Sequence, residues 1–178
     1  MPTMINILLY GAVFVILLSW GHYLRNRLDF KRFPQQHGKS DEASNHQVSF
    51  CIPARNEAHH LEKHLPLFCE TGCDILVVDD ESTDHTQDVL ASFQDDYTNL
   101  RVIQSAPRPK GWLGKSWACQ QAADQVTTPW ICFVDADVWG SETFLTRFVS
   151  YFEQSTAQKE GCITIWPQQV LGTFWEMV

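Results

Sequence analysis

The chain has 178 residues, of which 44% are hydrophobic and seven are tryptophan, a composition that predicts one folded domain and argues against a disordered chain. Its formal net charge of −8 argues against a general affinity for nucleic acid. An acidic domain of this size therefore needs local cations or a metal ion to bind an anionic nucleotide. The spacing of its cysteines does not complete a zinc site and predicts reduced, cytosolic thiols. The six cysteines are Cys51, Cys69, Cys73, Cys119, Cys132 and Cys162.

An apolar run without charge begins near the N-terminus. It extends from Ile5 to Trp20 and reaches about 20 residues, the length that spans a bilayer, when continued to Leu24. Basic residues follow this run at once, and none precedes it. By the positive-inside rule, this pattern predicts a single-pass transmembrane anchor over residues 1–24, with the rest of the chain on the cytoplasmic side. A cleaved signal peptide and a buried soluble helix are the alternatives.

The remaining chain divides into a connecting segment and a domain. Residues 25–47 are predicted to be a basic collar and a polar linker, because residues 35–47 lack hydrophobic periodicity. Over residues 48–178 apolar strands alternate with helical segments, which predicts an α/β domain with a mostly parallel sheet and helices on both faces. The predicted strands are 48–53, 74–80, 100–104, 131–134 and 162–167. Four helices are predicted: 57–69, one that follows cap residues 82–84 and extends to about residue 93, 115–126 and 141–154. Pro66 is expected to end or bend the first of them.

Polar segments follow four of the predicted strands. Ligands of parallel α/β sheets bind outside the carboxyl ends of the strands, so these segments are expected to form one site. They are Pro53 to Glu57, Asp79 and Asp80, the loop after Gln104, and Asp135 to Asp137.

The segment Asp135-Ala136-Asp137 follows the strand predicted at 131–134. Alternation along a strand would point both carboxylates to the same side, where they repel each other unless a cation joins them. A hard divalent ion suits such oxygen ligands, and a diphosphate is the usual substrate of such a site. The alternative is an acidic turn at the end of a strand.

Asp80 and Lys115 are the other candidate ligand contacts. Asp80 follows a buried strand and can accept a hydrogen bond from a nucleobase or a ribose, or can simply cap the next helix. Gly114, Lys115 and Ser116 resemble the end of a phosphate-binding P-loop, but Pro109 occupies the place of its first glycine. A true P-loop is therefore not expected, although Lys115 at a helix start suits a diphosphate. The alternative is an ordinary exposed lysine.

Four blocks occur in the order IPARNE, VVDDESTD, GWLGKSWAC and FVDADV. Together they resemble family 2 glycosyltransferases of the GT-A fold, and within that family the 4,4'-diaponeurosporenoate glycosyltransferases of carotenoid biosynthesis and the hopanoid-associated glycosyltransferases. The resemblance extends from Val48 to about Pro167. It implies a nucleotide-diphosphate sugar donor, a UDP-sugar in particular, held with Mg²⁺ or Mn²⁺.

The resemblance also implies roles for single residues. Asp80 matches the aspartate that contacts uracil, and Lys115 matches the lysine near the diphosphate. Asp137 matches a direct metal ligand, and Asp135 matches a second metal ligand that contacts the ribose or the sugar. The residues that match the block opening the nucleotide pocket are Pro53, Ala54, Arg55 and Glu57.

The family places an acidic catalytic base and an acceptor-binding element after its fifth or sixth strand. No segment of this sequence resembles them, so the base is expected beyond Val178 and the domain is expected to be truncated. Three functions follow. The first is an inverting, metal-assisted transfer of a hexose to a lipid-like, carotenoid-type acceptor. The second is a UDP-sugar-binding module without turnover, completed by a second chain that supplies the missing half. The third is a nucleotide hydrolase.

Overall fold

A computed structural model of the chain describes residues 4–29, 47–154, 162, 164 and 165. The chain forms two compact units, Met1–Gln35 and Gln36–Val178. The described part of the first contains one helix, and the described part of the second contains four strands and four helices. In chain order the elements are α1 Met4–Asp29, β1 Val48–Ala54, α2 Ala58–Cys69, β2 Asp74–Asp79, α3 Thr86–Asp96, β3 Leu100–Gln104, α4 Gly114–Ala123, β4 Trp130–Phe133 and α5 Glu142–Gln154.

Helix α1 extends past the boundary predicted at residue 24. It reaches Asp29 because neither glycine nor proline occurs between Leu24 and Asp29, and arginine and leucine favour helix. The start of the predicted basic collar is therefore helical. Among the described helices, none combines the length and the apolar character that crossing a bilayer requires. The rest of the predicted linker lies outside the described residues, apart from Gln47.

The four strands form one parallel sheet in the order β3-β2-β1-β4. The central strand β1 pairs with β2 so that Ala54 lies beside Asp79, and with β4 so that Cys51 lies beside Phe133. Since all the strands run in one direction, their carboxyl ends lie along the same edge of the sheet. This confirms the predicted parallel sheet and brings the polar segments after β1, β2 and β4 to that edge.

Helices cover both faces of the sheet, as predicted. On one face, the small side chains Ala118 and Ala122 of α4 let the helix pack closely on Cys51, Leu76 and Val78.

On the other face, Phe50 of β1 lies edge-on to Phe68 of α2, with ring centroids 5.3 Å apart. The centroid of Phe148 in α5 lies 5.6 Å from the same ring. Through these aromatic contacts, α2 and α5 pack on this face of the sheet.

Strand β4 is not the buried strand that its sequence predicts. Ile131 is 37% exposed and Phe133 is 50% exposed, because β4 is an edge strand of the described sheet. An apolar run of four residues does not distinguish a central strand from an edge strand.

Three further predicted elements differ in part from the structure. Pro66 lies inside α2 and does not end it: the helix continues to Cys69 because Leu65, Phe68 and Cys69 are buried. Helix α3 begins at Thr86, just beyond the predicted cap residues 82–84: Asp84 accepts the Thr86 N–H, whereas the side chains of residues 82 and 83 bond the loop after β1. Of the strand predicted at 162–167, the structure describes only residues 162, 164 and 165, and these belong to no regular element.

Candidate functional site

Two ion pairs lie at the carboxyl edge of the sheet. The ammonium Nζ of Lys115 in α4 lies 2.7 Å from the Oδ1 of Asp135, which follows β4. The guanidinium Nη1 of Arg55, which follows β1, lies 3.7 Å from the Oδ2 of Asp80, which follows β2. Four residues that the sequence singled out are thus brought together in oppositely charged pairs.

The loops after β1 and β2 are hydrogen-bonded to each other. Asn56 adopts a left-handed backbone with φ 57°, and its Oδ1 accepts the Thr83 N–H at 2.8 Å. In return, the Asn56 N–H donates to the Ser82 hydroxyl at 2.9 Å, and the Glu57 N–H donates to the Thr86 hydroxyl at 2.9 Å. These reciprocal bonds hold the two loops in one arrangement.

Asp84 joins the starts of α2 and α3. Its Oδ1 accepts the Thr86 N–H at 3.0 Å, and its Oδ2 accepts the Ala58 N–H at 3.5 Å. Hydrogen bonding, first of all from the Thr86 side chain, lowers the pKa of Asp84, because the bonds favour the carboxylate. The ionised group therefore satisfies N–H groups at two helix starts at once.

Sequence reasoning did not single out Asn56, Ser82, Asp84 and Thr86 as positioning residues. Asparagine tolerates the left-handed region better than most residues, which was the available signal at position 56. The hydroxyl and carboxylate groups between residues 82 and 86 indicated a helix cap, but not the partner loop that they bond.

The neighbouring residues Asp79 and Asp80 differ in burial and in what their carboxylates contact. Asp79 is fully buried, and its two oxygens accept the Ser82 N–H at 3.1 Å and the Gln87 side-chain amide at 2.9 Å. Both of its carboxylate oxygens are thus used to hold the loop after β2 and the start of α3. The side chain of Asp80 retains 15% exposure and lies against the start of α4, since a Cβ added to Gly114 would meet its Oδ2 at 2.6 Å. Asp80 is therefore the one of the pair that can face a ligand.

The start of α4 faces this carboxylate. Its N-cap residue, Leu113, provides no side-chain hydrogen bond, so the first N–H groups of the helix have no cap from that side chain. Lys115 lies in this first turn, and its side chain is 62% exposed. A helix start with a cation beside it is suited to an anionic group.

Asp135 and Asp137 lie beyond β4 in a turn and not in the strand itself, because β4 ends at Phe133. Burial nevertheless alternates there: Ala136 is buried, whereas Asp135 and Asp137 on either side are exposed. The Val138 N–H donates to the Asp135 carbonyl at 2.9 Å and closes the turn. The turn therefore presents both carboxylates outward.

The segment that follows is packed against α2. The ring of Trp139 stacks on His64 with centroids 5.5 Å apart and an angle of 7° between the planes. Burial lowers the pKa of His64, which favours the neutral imidazole under the indole. This contact holds the chain two residues after Asp137.

The chemistry of Asp135 and Asp137 fits a hard divalent ion, because both present exposed carboxylate oxygens. In the part of the chain that the structure describes, no group of three or more His, Cys, Asp or Glu side chains is placed to hold a metal ion. An ion at the two aspartates would therefore complete its coordination with oxygens of water or of a bound ligand.

The other predicted site residues lie beside this edge. Pro53 is partly buried, and Ala54 is buried with its carbonyl accepting the Asp80 N–H at 2.8 Å. The side chain of Glu57 is bonded to His60, with Oε2 and Nδ1 2.7 Å apart. Ala54 thus positions Asp80 through its backbone.

Ligands of parallel α/β domains bind outside the carboxyl ends of the strands, and the paired acids and bases of this domain lie at that edge. The sequence model of Glycosyl transferase family 2 matches residues 49–175, most of this chain. The chain belongs to this family.

Two similar curated proteins have the same name. The 4,4'-diaponeurosporenoate glycosyltransferase of Staphylococcus aureus (strain bovine RF122 / ET3-1) is 32% identical over 154 residues, which is 84% of this chain and 39% of that protein. Its namesake from Staphylococcus haemolyticus (strain JCSC1435) is 27% identical over 172 residues, which is 95% of this chain and 44% of that protein. The chain thus spans less than half the length of these relatives.

Two solved structures share the fold. The mannosyltransferase PcManGT from Pyrobaculum calidifontis, in complex with GDP-Man and Mn²⁺, superposes with a TM-score of 0.58 at 22% identity, over 85% of this chain and 43% of that one. TarS from S. aureus gives a TM-score of 0.50 at 24% identity, over 61% of this chain and 32% of that one. These similarities confirm the predicted α/β fold with a parallel sheet.

Proposed function

We propose that this chain forms the donor-binding part of a glycosyltransferase that uses a nucleotide-diphosphate sugar, specifically a UDP-hexose. The observation that supports the proposal most directly is the convergence of Arg55, Asp80, Lys115 and Asp135 at one edge of the sheet. Cations there can bind a diphosphate, and a carboxylate can accept from a nucleobase. Family membership and the relatives' common name agree with this assignment.

The proposed roles follow from what each group can do. Lys115 and the uncapped start of α4 bind the diphosphate oxygens, because both offer positive potential at an exposed position. Asp80, positioned by the Ala54 carbonyl, accepts from the N–H of the uracil. The guanidinium of Arg55 pairs with the Asp80 carboxylate and helps to hold it in place.

Asp137 and Asp135 would hold Mg²⁺ or Mn²⁺, in keeping with the Mn²⁺ in the complex of the mannosyltransferase of the same fold. Such an ion, when bound, would offset the negative charge that develops on the departing nucleoside diphosphate. The sugar would be transferred by an inverting displacement.

The acceptor is proposed to be lipid-like, of the carotenoid type that the relatives' name indicates. We further propose that the chain associates with a membrane and that its domain lies on the cytoplasmic side. The described side chains of α1 that support this are apolar and exposed, among them Leu9, Phe14 and Leu17. Flotation of the full chain with lipid vesicles tests it, and recovery only in the vesicle-free fraction contradicts it.

Thermal unfolding with UDP-glucose and Mn²⁺ tests the donor assignment. A ligand that binds only the native state stabilises it by about 2.7 kcal/mol when its free concentration is about 100 times its Kd. We expect UDP-glucose with Mn²⁺ to raise the unfolding temperature and ATP with Mg²⁺ to leave it unchanged. Stabilisation by ATP alone would favour the nucleotide hydrolase and contradict the proposal.

Transfer of the sugar to a lipid extract would rule out a binding module without turnover.

Gly114→Ala tests the position of Asp80. The new Cβ would lie 2.6 Å from the Asp80 Oδ2, so the carboxylate must move. The end of a side chain moves easily, and alanine favours helix, so we expect stability to change by less than about 0.5 kcal/mol. We expect UDP to bind about tenfold more weakly, measured by calorimetry. Ser116→Ala is the matched control, since it also adds an alanine at an exposed position of the first turn. Equal affinities for both variants would contradict the role of Asp80.

A further inference from the structure

The ion pair between Lys115 and Asp135 joins two groups to which the proposed function gives different ligands. Lys115 is assigned to the diphosphate and Asp135 to the metal ion. Their charged atoms, Nζ and Oδ1, are only 2.7 Å apart, which is the length of a strong charge-assisted hydrogen bond.

This contact places the two cations in competition. An ammonium at 2.7 Å occupies the position from which a metal ion would approach that oxygen, and its positive charge repels a second cation. While this pair persists, Asp135 therefore binds a metal ion more weakly, since its Oδ1 is occupied and its charge is offset by Lys115. A diphosphate supplies the anion that draws Lys115 away.

The Asp137 carboxylate, unlike that of Asp135, has no ion pair with a described cation. In the part of the chain that the structure describes, no lysine, arginine or histidine forms an ion pair with it, and it is exposed. One of the two carboxylates is thus ready for a metal ion, whereas the other is held by an internal cation.

We propose that Lys115 couples the two ligands: it competes with the metal ion for Asp135 until a diphosphate draws it away, so that the nucleotide diphosphate and the metal ion each raise the affinity of the other. This inference rests on the proposed function and adds a role for Lys115 beyond binding phosphate. Coupling of this kind is reciprocal, because both ligands act on one equilibrium between the paired and the separated side chains.

The coupling between the two ligands is limited in size because the side chains of Lys115 and Asp135 are exposed. Both side chains are more than half exposed, and an exposed pair contributes at most about 1 kcal/mol, an equilibrium factor of about five. Removing the lysine should therefore have an unusual result: it should tighten metal binding in the absence of nucleotide while it weakens the binding of nucleotide.

Titration of Mn²⁺ followed by electron paramagnetic resonance tests this coupling in the full chain. We expect Lys115→Gln to bind Mn²⁺ alone about two- to fivefold more tightly than the wild-type chain. We also expect UDP, but not uridine, to tighten Mn²⁺ binding by the wild type, and this gain to be smaller in Lys115→Gln. Circular dichroism checks that the variant is folded.

Two controls separate the ion pair from a general loss of positive charge. Lys110→Gln removes an exposed cation of the loop before α4 and should change Mn²⁺ affinity less than Lys115→Gln does. In an Asp135→Asn background, Lys115→Gln should no longer tighten Mn²⁺ binding, because the blocked carboxylate is absent.

The outcomes distinguish this inference from the proposed function. If UDP and Mn²⁺ bind in a manner that depends on Asp137, but Lys115→Gln matches the wild type or Lys110→Gln, the coupling is wrong and the donor site stands. If neither ligand binds the wild-type chain, both the coupling and the proposed function are overturned.

Discussion

Asp137→Ala should abolish the metal-dependent binding of UDP while the domain remains folded. The side chain is exposed in a turn after β4, and no described cation pairs with it, so its loss leaves no buried charge behind. Removal of outer groups that only orient metal ligands costs about 10- to 100-fold in affinity, and removal of a ligand itself should cost at least about 100-fold. Calorimetric titration with UDP in the presence of Mn²⁺ measures this loss.

The comparison needs a metal-free arm and a control of equal charge. With EDTA present, UDP should bind the wild type and Asp137→Ala with the same low affinity, because only the contribution of the metal ion is removed. Asp124→Ala removes an exposed acid at the opposite end of α4 and should bind UDP like the wild type. Unchanged titration of UDP and Mn²⁺ by Asp137→Ala would remove the basis for a metal ion at this position.

Asp79→Ala should destabilise the domain by about 3 kcal/mol. The carboxylate is fully buried and accepts from the Ser82 N–H and from the Gln87 amide. Loss of this buried acceptor removes both hydrogen bonds, and although the exposed Gln87 amide can bond water instead, the half-buried Ser82 N–H is left without its partner. Urea unfolding followed by circular dichroism measures the free energy of unfolding.

Two further variants test whether the loss of stability in Asp79→Ala comes from the lost hydrogen bonds. Asp79→Asn keeps the shape and one acceptor oxygen, so it should lose less stability than Asp79→Ala. Asp95→Ala removes an exposed acid from α3 and should change the free energy of unfolding by less than about 0.5 kcal/mol. If Asp79→Ala were as stable as Asp95→Ala, the buried carboxylate would not hold the loop after β2.

The order of strands and helices could be predicted from the sequence because hydrophobic periodicity is a local property. Strand β3 has the predicted limits, Leu100–Gln104, and β1 begins at the predicted Val48. The shared edge of the polar segments could be predicted for a related reason: parallel strands place their carboxyl ends at one edge wherever they lie in the sheet. Asp80 was singled out because it lies at the end of a buried strand, and Lys115 because it begins a helix after two glycines.

Local patterns could not show which element would lie at the edge of the described sheet. Strand β4 resembles a central strand in its residues, yet Phe133 is half exposed, because exposure depends on neighbours that are distant in sequence. The partners of the residues before α3 could not be predicted for a similar reason. Ser82 and Thr83 have the chemistry of a helix cap, but their side chains bond Asn56 in the loop after β1.

The chemical character of the site was therefore contained in the amino-acid sequence: acids and bases follow apolar strands, and their types suit a nucleotide diphosphate and a divalent ion. The pairing among them arises from tertiary packing. Lys115 and Asp135 meet at 2.7 Å because α4 packs on β1 and β2 while β4 pairs with β1, and neither the register nor the packing is expressed in the local sequence. Ions interact across space, so their partners are decided by the fold and not by their separation along the chain.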